Sequence, residues 1–274
     1  MTTARRKQVS LESTPYYHCT TRCVRRAFLC GEDDATGKSF NHRKQWVVDR
    51  LSEVAAVFAI DVCAYAIMSN HYHVIVYIDR ERALMWTDDE VIERWCSIYK
   101  GHILVDRYRN GEALSPSELT VMKEFVATWR QRLHDLSWFM RNINEPIARQ
   151  ANEEDNCKGR FWEGRYKSQA LLDEAALISC MAYVDLNPIR AGVAETPETS
   201  EFTSIKERID IQTERASQSD IAICTPPGLR PFNGDETYQP SMPAIPFHLL
   251  DYLELVDWSG RAIRDDKRGP FRLA

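Results

Sequence analysis

The sequence predicts an α+β fold in which helices cover an antiparallel sheet. The predicted elements run in the order strand, helix, strand, strand, insertion, helix, strand, helix, and hairpins mixed with helices are typical of this class. The length of 274 residues is sufficient to bury a sizeable core. A composition with 44% hydrophobic and 27% charged residues is ordinary for a globular protein.

The first part of the chain contains three predicted strands and one helix. The first strand is predicted at YYHCTTRCV, where polar and apolar residues interleave. A helix follows, in which apolar residues recur at three- and four-residue spacing. These residues are Trp46, Val47, Val48, Leu51, Val54, Ala55 and Phe58. Two β-rich runs, DVCAYAIM and HYHVIVYI, then flank Ser69 and Asn70, and we expect them to form a hairpin.

The next part begins with a polar and aromatic region at 88–134, which is interpreted as an insertion with helical patches. A helix is predicted at LSWFMRNINEPIARQAN, although Pro146 removes one of its backbone hydrogen bonds. A strand in RYKSQALL follows. The last predicted helix opens at Asp173, a suitable N-cap, and ends at Gly192.

The domain organisation follows from these elements. Residues 10–195 are predicted to form one domain with an insertion, and residues 196–274 a linker and C-terminal extension. Within the second segment, the proline-rich stretch 196–246 is interpreted as linker and partly ordered tail. No run approaches the roughly 18 apolar residues of a membrane span, and MTTARRKQVS lacks the apolar stretch of a secretory signal. We therefore expect a cytoplasmic protein with no membrane partner.

Charge is distributed unevenly along the chain. The formal net charge is −5, but nucleic-acid affinity depends on local basic clusters that this sum hides. The loop KGRFWEGRYK places basic residues around Phe161 and Trp162, whose rings either stack on an unpaired base or pack into the core. The candidate DNA-binding residues of this loop and of the N-terminal region are Arg22, Arg25, Arg26, Lys158, Arg160, Trp162, Arg165 and Lys167.

Four residues form the candidate chemical site. His71 and His73 are separated by one residue in a strand-like run, so both imidazoles project from one face and can grip one metal ion. Tyr183 and Asn187 stand at i and i+4 of a predicted helix and face the same neighbour. A phenol can attack a phosphodiester when a metal withdraws charge from the phosphate. Taken singly, the histidine pair is better explained as a chance arrangement in a strand, and Tyr183 as a buried aromatic on a packing helix.

The joint pattern resembles a known family. YAIMSNHYHVIV is similar to the motif of HUH single-tyrosine transposases, in which two histidines flank a hydrophobic residue. GRFWEGRYKSQALLDEAALISCMAYVDLNPIRAGV is similar to the signature of the branch related to REP-associated tyrosine transposases, including its Asn-Pro-x-Arg-Ala-Gly ending. The resemblance implies a ferredoxin-like or RRM-like antiparallel sheet, with 10–195 as the catalytic domain. The residue between the histidines departs from the pattern because Tyr72 carries a hydroxyl, and we expect it to point to the opposite face.

The resemblance also implies a site and a reaction. His71, His73 and Asn187 would be the ligands of Mg²⁺ or Mn²⁺ on the scissile phosphate, and Tyr183 would be the nucleophile that leaves a 5′-phosphotyrosine and a free 3′-hydroxyl. The implied substrate is single-stranded or hairpin DNA. The implied assembly is a monomer or a homodimer, and the resemblance leaves open whether Tyr183 serves its own histidines or those of a partner.

Two other functions remain open at this stage. The first is a domesticated protein that recognises hairpin DNA without cutting it. The second is an unrelated metal phosphohydrolase, which would use an activated water and form no bond to DNA. Other tyrosines, namely Tyr16, Tyr17 and Tyr65, lack a polar ligand at helical spacing and are interpreted as packing residues. His18 lies in the first strand, where a structural hydrogen bond is expected.

Overall fold

The computed structural model describes residues 9–24, 29–33, 37–217, 229–234 and 244–263. The strands are β1 Tyr16–Arg22, β2 Glu32–Asp33, β3 Lys38–Ser39, β4 Ile60–Ile67, β5 His71–Ile78, β6 Lys167–Ala170, β7 Phe232–Asn233 and β8 Ile245–His248. The helices are α1 His42–Val57, α2 Arg80–Met85, α3 Asp88–Ile98, α4 Ile103–Arg109, α5 Pro116–Arg132, α6 Leu136–Glu154, α7 Glu174–Asp185, α8 Asn187–Arg190, α9 Ser204–Ser217 and α10 Leu249–Ile263.

A four-stranded antiparallel sheet forms the centre, with strand order β4–β5–β1–β6. The hairpin expected around Ser69 and Asn70 is present, since β4 and β5 pair from Ile60 opposite Ile78 to Ile67 opposite Tyr72. The main strands and helices alternate as β1, α1, β4, β5, α6, β6, which is the ferredoxin-like arrangement. The predicted α+β class is confirmed.

One face of the sheet packs against α1 and α6. Side chains on alternate strand positions point to this face, among them Tyr17, Cys19 and Tyr72, all of them buried. Arg43 of α1 is fully buried and donates from Nε to Glu154 Oε2 at 2.6 Å, which joins the start of α1 to the end of α6. The helix α6 continues through Pro146, as predicted.

The region 88–134 forms α3, α4 and α5. Trp95 of α3 stacks on Trp129 of α5, with ring centroids 5.4 Å apart. Both rings are buried in the same cluster as the side chains of α1 and α6. The insertion therefore extends the core of this face instead of standing apart from it, a contact that the sequence did not predict.

The opposite face of the sheet packs against α7 and α9, and α10 packs against α7. Buried residues of this second cluster include Ile75 of β5, Ile205 of α9 and Tyr252 of α10. The stretch 196–246, expected to be linker and partly ordered tail, thus contains a packed helix, and this part of the prediction is corrected. The physical reason is a short apolar stripe at Ile205 and Ile209, which proline-rich neighbouring sequence obscures.

The described residues contain neither a membrane-spanning helix nor a disulfide. In the parts of the chain that the structure describes, no helix combines the length and the apolarity that crossing a membrane requires. Cys19, Cys23, Cys30, Cys63, Cys96, Cys157 and Cys180 lie in the described ranges, and none of these seven forms a disulfide.

Candidate active site

Strand pairing brings three imidazoles together on the face that α7 covers. His71 and His73 alternate along β5, and the antiparallel register places Thr20 of β1 opposite His73 and His18 opposite Ile75. Because paired residues share a face, His18 joins the two histidines of β5. The ring centroid of His73 lies 5.0 Å from that of His71 and 5.1 Å from that of His18.

Hydrogen bonds orient both imidazoles of β5. His71 Nδ1 lies 2.6 Å from Asn70 Oδ1, and His73 Nδ1 lies 2.9 Å from His18 Nε2 and 3.1 Å from Thr20 Oγ1. In each ring the partner sits on Nδ1, which leaves Nε2 as the nitrogen for a metal or a substrate atom. The structural hydrogen bond expected for His18 is therefore present.

Burial keeps these imidazoles uncharged. Desolvation, with smaller contributions from the neighbouring His18 and His71, lowers the pKa of His73 to about 3. Desolvation also lowers the pKa of His71, to which the nearby charge of Arg22 contributes. A neutral imidazole is the form that binds a metal ion.

The helix α7 carries Tyr183 to the histidines of its own chain. Asp173 caps this helix by accepting a hydrogen bond from the Ala176 N–H at 2.7 Å, as predicted. The Tyr183 ring lies 5.9 Å from the His73 ring, centroid to centroid, at 89°. The side chain of Tyr183 is 42% exposed, so the packing alternative does not describe it.

The helix does not continue unbroken to Asn187. α7 ends at Asp185 and α8 begins at Asn187, whereas the sequence predicted one helix across both. The reason is Pro188, which has no N–H to donate to the preceding turn. Asn187 is half-buried at this junction. No hydrogen bond joins its side chain to either histidine within the described ranges.

The donor set of the site is imidazole and amide, without carboxylates. Across the residues described, no three His, Cys, Asp or Glu side chains are grouped so as to hold a metal ion. A cation here would therefore take nitrogen from His71 and His73 and oxygen from an amide and from the substrate.

Two arginines flank the site. Arg22 lies opposite His71 in the β1–β5 register and is exposed. Arg190, at the end of α8, has its guanidinium carbon 5.4 Å from the centroid of the Tyr183 ring. Arg22 was a candidate from the sequence, but Arg190 was missed. Its spacing of seven residues from Tyr183, about two helical turns, was the signal that could have found it.

The basic loop is divided between core and surface. Phe161 is buried, and Trp162 is half-buried, with its indole N–H donating to Asn144 O at 2.7 Å. The core-packing alternative thus describes both rings, and stacking of Trp162 on a base stays a prediction. The basic residues of the loop are all exposed, namely Lys158, Arg160, Arg165 and Lys167. The candidates Arg25 and Arg26 lie outside the described residues.

The other tyrosines considered from the sequence are packing residues in this structure. Tyr72 points away from the histidines, is 1% exposed, and donates its hydroxyl to Asn144 Oδ1 at 2.7 Å. Tyr17 and Tyr65 are buried as well, and Tyr16 packs its ring against Tyr77. The expectation that Tyr72 lies on the opposite face is confirmed.

Comparisons with known proteins find one similar solved structure and no similar sequence. No protein-family model and no curated protein sequence matches this chain. A solved structure that is similar to it is that of a REP-associated tyrosine transposase bound to a REP hairpin, at 12% sequence identity and a TM-score of 0.44. The similar region covers 83% of this chain and 97% of the other.

Proposed function

We propose that this protein is a transposase that nicks and rejoins single-stranded or hairpin DNA through a 5′-phosphotyrosine intermediate at Tyr183, with a divalent metal. The observation that carries this proposal is the exposed phenol of Tyr183, whose ring lies 5.9 Å from the buried, uncharged His73 in the same chain. A phenol next to a metal-binding pair of imidazoles is an arrangement for nucleophilic attack on phosphate.

The residues present fit a divalent cation. Each of the two imidazoles has a hydrogen-bond partner at Nδ1, which leaves Nε2 for a cation, and the His73 ring lies 5.9 Å from the Tyr183 ring. His71, His73 and Asn187 would hold Mg²⁺ or Mn²⁺, with water and phosphate oxygens as further ligands. When bound, the cation would withdraw charge from the scissile phosphate.

The proposed reaction needs only the residues of one chain, the DNA and the divalent metal. The Tyr183 oxygen forms a bond to phosphorus as the bond from phosphorus to the 3′-oxygen breaks. The phenolic proton ends on the released 3′-hydroxyl, so no co-reactant is consumed. The same hydroxyl, or that of another strand, reverses the step and releases Tyr183. Because phenol and imidazoles lie in one chain, a monomer is sufficient for cleavage.

The test is covalent capture. The protein is incubated with Mg²⁺ or Mn²⁺ and a labelled pool of single-stranded oligonucleotides that contain hairpins, and it is then denatured. We expect a protein–DNA adduct that maps to the peptide with Tyr183 and disappears with EDTA. Binding without an adduct would instead support the non-cleaving hairpin protein, and cleavage without an adduct would support the phosphohydrolase.

The hydrogen bond that orients His71 gives a second prediction. Asn70→Ala removes the partner that holds His71 Nδ1. We expect the affinity for Mn²⁺ to fall by about 10- to 100-fold, which is the usual effect of losing such a partner. Titration calorimetry with Mn²⁺ alone measures this change. The matched control is Asn110→Ala, an exposed asparagine directly after α4, which should leave the affinity unchanged. An unchanged affinity in a folded Asn70→Ala variant would contradict the assignment of His71 as a ligand.

A further inference from the structure

Arg190 occupies a position that packing alone does not explain. The preceding Pro188 and Ile189 are buried, which fixes α8 against the core, whereas Arg190 is exposed. Its guanidinium lies over the ring of Tyr183, and the ring of His73 stands nearly perpendicular to the same ring. The Tyr183 ring thus lies in contact with a candidate metal ligand and with a fixed cation.

The backbone that carries Arg190 is anchored. The Arg190 N–H donates to Leu186 O at 3.0 Å. The backbone of α10 approaches so closely that a methyl group at Gly260 would lie 3.2 Å from Leu186 Cδ2. The segment that carries Arg190 therefore contacts both α7 and α10, so the Arg190 side chain extends from a fixed backbone.

Arg190 forms no salt bridge with any carboxylate among the described residues. The same is true of Arg22 in the part of the chain that the structure describes. By contrast, the buried Arg43 and Arg230 both pair with carboxylates. Two exposed guanidinium groups that flank His71 and Tyr183 without acidic partners are suited to an anionic ligand.

We infer that Arg190 is a further catalytic residue, which binds a non-bridging oxygen of the scissile phosphate and holds it in line with the Tyr183 hydroxyl. This inference rests on the proposed function. The planar guanidinium matches the geometry of phosphate oxygens and stays charged throughout the reaction. It opposes the negative charge that develops on these oxygens while the bond to Tyr183 forms. Arg22 binds a neighbouring phosphate and positions the strand.

The experiment compares two substrates in single-turnover reactions. The wild-type cleavage product first identifies the scissile position. DNA is then synthesised with either a phosphodiester or a methylphosphonate at that position, the latter replacing a charged non-bridging oxygen with a methyl group. The rates of adduct formation are measured for wild type, Arg190→Ala, Arg190→Lys and, as a matched control, Arg22→Ala.

We expect Arg190→Ala to lower the rate on the phosphodiester by about 10²- to 10³-fold, and Arg190→Lys to restore part of it. On the methylphosphonate the difference between wild type and Arg190→Ala should fall below about tenfold, because the oxygen that Arg190 binds is absent. Arg22→Ala should instead weaken DNA binding. The slope of log affinity against log salt concentration should fall in magnitude by about one. The ratio of its adduct-formation rates on the two substrates should equal the wild-type ratio.

The outcomes separate this inference from the proposed function. If wild type forms an adduct at Tyr183 and Arg190→Ala cleaves at the same rate, or loses the same factor on both substrates, Arg190 does not bind the scissile phosphate. If wild type forms no such adduct, the proposed function fails and this inference is overturned with it. Thermal unfolding of each variant shows whether it is folded, and Arg190→Lys retains the charge if Arg190→Ala does not fold.

Discussion

Replacing Tyr183 with phenylalanine is expected to lower formation of the covalent protein–DNA adduct by at least about 10³-fold, because removal of a catalytic nucleophile eliminates the covalent step. The change deletes one oxygen and retains the ring that contacts His73 and Arg190. We therefore expect the fold and the affinity for DNA to be retained. Denaturing gel electrophoresis of the adduct and a binding titration with the same oligonucleotide measure the two effects.

The control for this variant is Tyr108→Phe, which alters another exposed tyrosine on α4. It should form the adduct at the wild-type rate. An adduct that persists in Tyr183→Phe and maps to another residue would show that the nucleophile is misassigned. Tyr72 is a poor alternative, since its hydroxyl is buried on the other side of the sheet.

Replacing Asp185 with alanine is expected to lower the free energy of unfolding by about 3–5 kcal/mol. The carboxylate is fully buried and accepts hydrogen bonds from Ser204 Oγ at 2.6 Å, from the Ile205 N–H at 3.0 Å and from the Tyr252 hydroxyl. Alanine would leave the Ile205 N–H and the Tyr252 hydroxyl buried without this acceptor, and would leave Ser204 Oγ with only Tyr65 O, 3.4 Å away. Urea denaturation followed by circular dichroism measures the loss.

Asparagine at the same position separates hydrogen bonding from charge. Burial raises the pKa of Asp185 to about 6, so desolvation opposes the charged form and the hydrogen bonds only partly offset it. Asp185→Asn keeps an oxygen for Ser204 and Ile205, and we expect it to lose no more than about 2 kcal/mol. Asp251→Ala, at an exposed position of α10, is the control and should change little. Equal losses for alanine and asparagine would contradict this account.

The elements with strong local patterns were predictable. The hairpin of β4 and β5 follows from two β-rich runs around a turn, and α1 from its apolar spacing. The N-cap of α7 follows from Asp173 alone. These features depend on residues close in sequence, so a local sequence pattern is sufficient to predict them.

The features that were missed depend on residues far apart. The bond between Asp185 and Tyr252 spans 67 positions, and no local pattern indicates it. The packing of α9 rests on few apolar residues within a segment that reads as a linker. In the candidate site, the pair His71 and His73 followed from strand periodicity. The contact from His18 required the register of β1 against β5, which the sequence did not specify.

The turn at Ser69 and Asn70 determines which aromatic rings of β5 lie on the same face as His18. It is closed by the Met68 N–H donating to His71 O at 2.8 Å, and this bond fixes the parity of every residue along β5. A slip by a single position would turn the imidazoles into hydrocarbon and present the Tyr72 phenol in their place. The two-residue connection thus determines which side chains of β5 share a face with His18, and one of its residues, Asn70, also holds His71 Nδ1.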